Sequence, residues 1–460
     1  MRVGLMTREY PPYVYGGAGV HVEYLSRELA KTIDVEVYAW GETPDHDGLG
    51  VVGNPNHPEP HEQRLHVHFE MPWPSITNGT DAKFKGALEA LSLNLLQNLH
   101  LEKLDIIHTH TWYVSMAGFL AKKLYNIPFV LTTHSLEPLR AWKAEQLGSG
   151  YALSSWMERT AILDADAIVA VSNGTKADIL KAYPDVDAGK IHVIYNGIDL
   201  QQYQYTPHQD ALLKYGVDPM KPYVLFVGRI TRQKGVTHLV DAIPHLPPGT
   251  QVVLCAGAPD TPEIAKEMRD KVQALTGVNV AAVRKPAPGS QPALVAVESD
   301  NIENPPGHAI ATGDYAGTGH NIVWIEQMVS KAEAIQLYSH CAVFCCPSVY
   351  EPFGIINLEA MACRAPVVAS ATGGILEVVV DGETGRLVEF AADPVTAFPE
   401  EPEQFSRDLA ARITELLKDP ARAKAMGEAG RKRVEDHFSW TAIAAQTVKM
   451  YEELIAAKKK

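Results

Sequence analysis

The sequence is poor in the features that mark secreted, membrane-spanning or nucleic-acid-binding proteins. It has only five cysteines in 460 residues, an odd number that argues against a disulfide framework and favours a reducing compartment such as the cytoplasm. No apolar run approaches the roughly 20 residues that cross a bilayer. A net charge of −14 argues against nucleic acid or an anionic membrane as the main partner. We therefore expect a cytoplasmic protein that binds neither.

The cysteines also lack the pattern of a metal site. Cys341, Cys345 and Cys346 do not have the paired spacing of zinc ligands, and four of the five cysteines lie in or beside apolar strand or helix patterns. We expect buried free thiols.

Short runs rich in valine and isoleucine alternate with helical patterns along the chain. The first run, Met1–Met6, is typical of one short strand rather than of a signal peptide. Alternation on this scale predicts parallel sheets with helices on both faces. A polar stretch without periodicity, Gln201–Lys221, separates two such series. We predict an α/β protein with two Rossmann-like, doubly wound domains that face each other across a cleft.

The same pattern gives domain boundaries. We place an N-terminal domain at residues 1–200 and a C-terminal domain at residues 201–438, followed by a last helix within residues 439–460. Residues about 280–319 are rich in proline and glycine and interrupt the second series. They join a helix to a strand, on the sheet edge away from the cleft. We expect an insertion for oligomer contact or regulation, or plain disorder, rather than an active-site lid.

The most informative segment is Ser348–Glu359, which follows an apolar run and opens a helix. We predict a helix at Ile355–Ala362 with Pro352 in its first turn and Glu351 at the N-cap, although glutamate is not a favoured capping residue. Helix N-termini attract anions. Two carboxylates, Glu351 and Glu359, around such a helix start favour a ligand that carries both hydroxyls and phosphate.

Two other loops at strand ends carry candidate binding residues. Gly17 and Gly19 follow the first strand and open a helix, where backbone amides can approach a phosphate or sugar, although glycine clusters often only build turns. Arg229 and Lys234 follow the predicted strand Tyr223–Val227, where this fold binds anions. Phosphate binding by these two cations is favoured over a solvated turn.

Together these motifs resemble the GT-B retaining glycosyltransferases of the family 4 type. The resemblance extends over nearly the whole chain and is strongest to the actinobacterial-type glycogen synthase and maltose-1-phosphate synthase branch. It is carried by Thr7–Pro12, Tyr15–His21, Thr132–Arg140, Gly228–Gly235, Val349–Glu359 and Gly373–Gly374.

The resemblance implies transfer of glucose from a nucleotide-sugar to a glucan or a sugar phosphate in glycogen synthesis. It favours ADP-glucose over UDP-glucose, with an α-1,4-glucan or glucose-1-phosphate as acceptor. The Lys-x-Gly-Gly-Leu signature of better-known bacterial glycogen synthases is absent, since Tyr15–Gly19 stands in its place. This departure leaves room for a small phosphorylated acceptor. A homo-oligomer is possible.

The resemblance also implies residue roles. Arg229 and Lys234 would hold the diphosphate, Glu351 the donor sugar and Glu359 the ribose, while His134 would lie near the reacting carbon. The implied catalytic residues are His134, Arg229, Lys234 and Glu351. The implied donor-binding residues are Gly17, Gly19, Arg229, Lys234, Phe353, Gly354, Ile355 and Glu359. On the acceptor side we expect His110, Trp112 and Arg140.

No cofactor and no metal are expected, because two cations and a helix dipole can neutralise a leaving diphosphate as a divalent ion would. His108-Thr109-His110, expected to leave a strand, could suggest metal ligands, but a position beside the acceptor is favoured for one of these histidines. A different donor or acceptor and a sugar-nucleotide epimerase stay open as alternatives. A phosphorylase would need a pyridoxal-phosphate lysine, for which we see no candidate. A non-catalytic glucan-binding protein would be expected to have lost Arg229, Lys234 or a glutamate.

Overall fold

The computed structural model of the chain describes residues 1–14, 16–43, 62–99, 101, 103–139, 150–276, 321–327, 329–394 and 396–458. They form two compact units. The first unit combines Met1–Gly197 with Trp440–Lys460, and the second contains the described residues from Ile198 to Ser439. The predicted insertion at about 280–319 and the predicted acceptor residue Arg140 lie outside the described residues.

The first unit is built on a parallel sheet of seven strands in the order β3-β2-β1-β4-β5-β6-β7. The strands are β1 (Arg2–Met6), β2 (Asp34–Trp40), β3 (Leu65–Glu70), β4 (Ile106–His110), β5 (Phe129–Thr133), β6 (Ala167–Ala170) and β7 (Ile191–Val193). The helices are α1 (Gly17–Ala30), α2 (Pro74–Gly79), α3 (Ala82–Leu96), α4 (Trp112–Tyr125), α5 (Gly150–Asp164) and α6 (Asn173–Ala182). The central strands β4 and β5 are buried along their whole length, as expected for a sheet covered on both faces.

The second unit is built on a parallel sheet of six strands in the order β10-β9-β8-β11-β12-β13. The strands are β8 (Tyr223–Arg229), β9 (Gln251–Gly257), β10 (Asn321–Ile325), β11 (Val343–Cys346), β12 (Val367–Ser370) and β13 (Gly385–Val388). The helices are α7 (Asp210–Lys214), α8 (Val236–Ala242), α9 (Pro262–Thr276), α10 (Lys331–His340), α11 (Ile355–Ala362), α12 (Ile375–Val378), α13 (Pro402–Lys418) and α14 (Pro420–His437). The non-periodic stretch Gln201–Lys221 contains one short helix, α7.

A last helix, α15 (Trp440–Lys458), returns the chain to the first unit. Trp440 stacks on Tyr24 of α1 with the ring centres 5.9 Å apart, and a side chain at Gly197 would collide with the same indole. Further along, the Tyr451 hydroxyl lies 2.6 Å from His108 Nδ1 of β4. The final helix is therefore part of the core of the first unit.

The five cysteines are free and buried, as the sequence predicted. All of them lie in the second unit, and burial raises the pKa of each thiol, as at Cys346 and Cys363. Among the described residues, no helix is both long and apolar enough to span a bilayer.

The predicted α/β architecture with two Rossmann-like sheets is confirmed. In each sheet the direction of winding reverses once, between β1 and β4 in the first unit and between β8 and β11 in the second. Loops that leave two such neighbouring strands diverge to opposite sides, which opens a crevice at the carboxyl edge of the sheet. Any ligand of this fold is expected there.

Two helix glycines give a matched test of the packing beneath the first crevice. A methyl group at Gly118 of α4 would overlap the Phe129 ring and lie 2.7 Å from Thr109 Cγ2, whereas Gly86 of α3 has no heavy atom within 4 Å. We expect Gly118→Ala to lower the free energy of unfolding by about 1–3 kcal/mol. Gly86→Ala should raise it by about 0.5–1 kcal/mol, because alanine is the better helix former. Urea titration of both variants measures this, and equal shifts would contradict the packing.

Candidate active site

The crevice of the second unit contains an ion pair between two residues predicted to be catalytic. Lys234 lies in the loop after β8, and Glu351 lies in the loop after β11, so each comes from one side of the reversal point. Lys234 Nζ donates to Glu351 Oε2 at 2.6 Å, and only 9% of the Glu351 side chain is exposed. Ser348 Oγ donates to the same carboxylate oxygen at 3.3 Å. The carboxylate thus neutralises a lysine that would be costly to enclose alone.

Glycines let these loops touch through their backbones. Gly235 has a φ of +62°, and a side chain there would strike the Pro347 carbonyl. Gly373, with a φ of +50°, faces the Glu351 carbonyl in the same way, and the amide of Gly374 donates to that carbonyl at 2.8 Å. Only glycine combines such a φ with so close an approach. The loops after β8, β11 and β12 are therefore interlocked around Glu351.

The start of α11 differs from the prediction. Gly354, with a φ of +103°, is the N-cap of the helix, so Glu351 is not the capping residue and Pro352 lies before the first turn. No side chain caps this end. The first amides of a helix point outward along its axis and carry a partial positive charge. A glycine N-cap leaves the space in front of the amide of Ile355 free of any side chain of its own.

Arg229 closes the other side of the crevice. It is the last residue of β8, and its Nη1 donates to Asp260 Oδ1 at 2.7 Å. Asp260 follows β9 and is held by its own amide, which donates to the Ile230 carbonyl at 3.1 Å. Asp260 was not predicted from the sequence. The sequence did contain a signal for this residue, because an acidic side chain follows the carboxyl end of β9, beside a candidate anion site.

Glu359 lies inside α11, away from the lysine pair. Its two carboxylate oxygens accept from the hydroxyls of Tyr203 at 3.1 Å and Tyr338 at 3.0 Å. Burial raises the pKa of Glu359, and both hydroxyls act in the opposite direction by stabilising the ionised form. Neither tyrosine was predicted from the sequence. Because each carboxylate oxygen has two lone pairs, these contacts leave acceptor positions open.

In the first unit, the carboxyl ends of β4 and β5 carry a cluster of histidines. His110 Nδ1 lies 3.1 Å from His134 Nε2, and the ring of His21 stands edge-on to His134 with the centres 4.8 Å apart. The ring of His108 is tilted against that of His110, with the centres 4.4 Å apart. The expectation that the chain leaves the strand at His108 was wrong, because β4 continues to His110.

These histidines are uncharged at neutral pH. Burial lowers the pKa of His21 to about 4 and that of His108 to about 3. The pKa values of His110 and His134 are also lowered well below their usual range, first by burial and then by the neighbouring histidines. Suitable nitrogens of His21, His110 and His134 lie within 4.8 Å of one another, so the cluster has the composition of a metal site.

Two predicted groups of binding residues, the glycines at the start of α1 and the acceptor-side residues, make contacts within the first unit itself. The amide of Gly16, ahead of Gly17, donates to Glu9 Oε2 at 2.7 Å, and a side chain at Gly19 would come within 2.7 Å of Glu9 Cβ. The protein's own carboxylate therefore lies against the start of α1, and donor binding by these glycines stays a prediction. On the acceptor side, His110 is 0% exposed and Trp112 is 3% exposed. Their contact with an acceptor also stays a prediction.

Comparisons with known proteins bear on the whole chain. Residues 15–202 match the family Glycosyltransferase Family 4, and residues 314–433 match the family Glycosyl transferases group 1. The chain is 43% identical, over 99% of its length and 100% of the relative, to an alpha-maltose-1-phosphate synthase of Mycolicibacterium smegmatis. The same coverage and 40% identity hold for an alpha-maltose-1-phosphate synthase of Mycobacterium tuberculosis.

Solved structures support the fold. The sucrose-phosphate synthase from Thermosynechococcus elongatus superposes with a TM-score of 0.70 at 24% identity, covering 99% of each chain. This likeness confirms the predicted GT-B fold, and at this identity it supports the fold alone.

The buried histidines predict a loss of stability in mild acid. A histidine with a pKa of about 4 when folded and about 6.5 when unfolded binds its proton mainly in the unfolded state, so stability is lost as pH falls below about 6.5. His21 alone should cost about 2 kcal/mol between pH 7 and pH 5. We expect His21→Gln to lose about that much less than the wild type, and the exposed His208→Gln to follow the wild type. Urea unfolding at pH 7, 6 and 5 measures this, and equal pH dependence in all three proteins would contradict it.

Proposed function

We propose that this chain, which belongs to the family of glycosyltransferases that contains the alpha-maltose-1-phosphate synthases, is a retaining glucosyltransferase that uses ADP-glucose. The preferred acceptor is glucose-1-phosphate, with an α-1,4-glucan as the second candidate. The observation that carries the proposal is the Lys234–Glu351 pair at the reversal point of the second sheet. Family membership supports the identity of the donor and acceptor.

The leaving group is a diphosphate, and the second unit has the charges to receive it. Lys234 and Arg229 supply two cations, and the amide end of α11 adds a partial positive charge. Each cation is held by a carboxylate, Glu351 for the lysine and Asp260 for the arginine. A bound diphosphate competes for both cations, and a guanidinium has enough donors to keep Asp260 while it binds phosphate.

Release of the lysine frees Glu351 for a second task. Once Lys234 turns to phosphate, the Glu351 carboxylate accepts hydrogen bonds from sugar hydroxyls. Its backbone is fixed by Gly373 and Gly374, so the carboxylate is held in place before the sugar arrives. Glu351 acts by positioning the sugar, and Glu359 binds the ribose with its orientation fixed by Tyr203 and Tyr338.

Retention follows when the acceptor attacks from the face that the diphosphate leaves. The bond between the anomeric carbon and the phosphate oxygen breaks, and a bond from the acceptor oxygen to that carbon forms. The acceptor's proton passes to the departing phosphate oxygen, so no protein group has to remove it. His134 is uncharged and serves as a hydrogen-bonding partner of the sugar.

The small acceptor is supported by the names of the relatives. Alpha-maltose-1-phosphate contains two glucose units and one phosphate, which is the product expected when glucose-1-phosphate receives a glucosyl group. The absence of the Lys-x-Gly-Gly-Leu signature at Tyr15–Gly19 agrees with an acceptor other than a long glucan.

A product analysis tests the proposal. The enzyme is incubated with ADP-glucose or UDP-glucose, each with glucose-1-phosphate or glycogen, and the products are weighed by mass spectrometry and their anomeric configuration is read by NMR. We expect an α-linked disaccharide phosphate from ADP-glucose and glucose-1-phosphate. A glycogen product alone would reject the small acceptor, and an altered nucleotide-sugar without any acceptor would indicate an epimerase.

Glu351→Gln should separate transfer from nucleotide binding. The substitution keeps the side chain's shape and removes the charge that orients the sugar, so we expect kcat to fall by about 10²-fold or more. Nucleotide affinity, measured by calorimetry, should not fall, because the Glu351 carboxylate competes with the diphosphate for Lys234, whereas Lys234→Gln should weaken it. Glu403→Gln, at an exposed glutamate of α13, is the control. Full transfer activity in Glu351→Gln would reject the assignment.

We further propose that transfer needs no metal, because Lys234, Arg229 and the start of α11 supply the positive charge. Treatment with EDTA followed by desalting should leave kcat within about twofold, whereas loss of a charge-stabilising metal costs several kcal/mol and far more in rate. A large loss that added Zn²⁺ restores would contradict the proposal. It would direct attention to His21, His110 and His134.

A further inference from the structure

We infer that His110 is a positioning residue that fixes His134 as the tautomer with its proton on Nδ1, so that His134 offers an N–H donor to a bound sugar. The use of that donor rests on the proposed function. The tautomer itself rests on the hydrogen bonds of the cluster alone.

One hydrogen bond links the rings of His110 and His134. His110 Nδ1 lies 3.1 Å from His134 Nε2. A protonated, cationic imidazole carries N–H on both nitrogens, whereas a neutral ring has one N–H donor and one acceptor nitrogen. Because both rings are neutral, one of the two facing nitrogens donates and the other accepts. The choice of donor fixes the tautomers of both rings.

The other ring nitrogen of His110, Nε2, decides which of the two rings donates. His110 is 0% exposed, and its Nε2 has no hydrogen-bond partner among the described residues. If His134 donated, the proton of His110 would sit on that Nε2, as a buried N–H without an acceptor. Such groups are rare and costly, whereas an unused acceptor nitrogen is better tolerated. The arrangement in which His110 Nδ1–H donates is therefore favoured.

This hydrogen bond leaves only one ring nitrogen of His134 that can carry its proton. Its Nε2 accepts from His110, so Nδ1 carries the hydrogen. His134 keeps part of its surface exposed, unlike the other members of the cluster, and so can reach a ligand. An N–H in this position donates to a hydroxyl oxygen and cannot remove a proton. This agrees with a reaction in which the departing phosphate takes the acceptor's proton.

Three of the four ring nitrogens of His21 and His108 bond other groups. His108 bonds Tyr451 through Nδ1 and Thr132 through Nε2, each at 2.6 Å. His21 Nδ1 donates to the amide oxygen of Asn196 at 2.6 Å. The position of His134 is thus set by His110, while His21 and His108 fill the space around the pair.

Nitrogen-15 NMR of the full-length protein with labelled histidine tests the tautomer directly. A ring nitrogen that bears hydrogen and one that bears a lone pair resonate in well-separated regions, and loss of signals in His134→Asn assigns the ring. We expect an N–H signal for Nδ1 of His134 and a lone-pair signal for Nε2. The opposite pattern in the wild-type protein would overturn the inference, whether or not the protein transfers glucose.

Two substitutions test the role. His110→Leu removes the donor, so we expect a rise in the Nε2-protonated form of His134 and a fall in kcat of about tenfold or more, with little change in the donor KM. His110→Asn restores an amide N–H near the same position and should recover most of both effects. His108→Asn, in the same strand and equally buried, should leave the His134 tautomer unchanged. An unaltered tautomer and kcat in a folded His110→Leu would also overturn the inference.

If the tautomer is as expected but no nucleotide-sugar supports transfer, the proposed function fails and the structural part of the inference stands. If transfer occurs and the tautomer is reversed, the inference fails and the proposed function stands.

Discussion

An enclosed ammonium group needs a negative charge beside it, and the second unit is arranged to meet this need at one point. Lys234 and Glu351 approach from two loops that leave neighbouring strands in opposite directions. That approach requires Gly235 and Gly373, whose backbones press against neighbouring carbonyls. Under the proposed function the pairing is also exchangeable, because an arriving phosphate would replace the carboxylate. The loops, the glycines and the proposed chemistry all depend on this contact.

The polar clusters of the two units differ in charge. The second unit retains charges and balances them, as Arg229 and Asp260 also show. The first unit contains a histidine cluster that burial keeps neutral, so the cluster offers hydrogen-bond donors and acceptors without a net charge.

Much of this was predictable from the sequence, because buried parallel strands appear as short valine and isoleucine runs and the fold then fixes which loops bind ligands. Lys234 and Glu351 were predicted as site residues in this way, and the structure brings their side chains together. Errors arose where tertiary contacts override local signals. β4 continues to His110 because contacts with neighbouring rings and with Tyr451 bury its two histidines. Gly354 rather than Glu351 caps α11, because only glycine accepts its backbone angle. Partners distant in sequence, such as Tyr203, leave no local pattern.

The cysteines described above have a practical consequence. All five lie in the second unit, buried, with thiols that resist ionisation. A thiol reagent reacts with the thiolate and needs access to it, so labelling under native conditions proceeds only through opening of the structure around each cysteine. Since the first unit contributes no thiol, the labelling rate reports on the second unit alone. The protein carries its own site-restricted probe of local stability, and a nucleotide that binds this unit should slow the reaction.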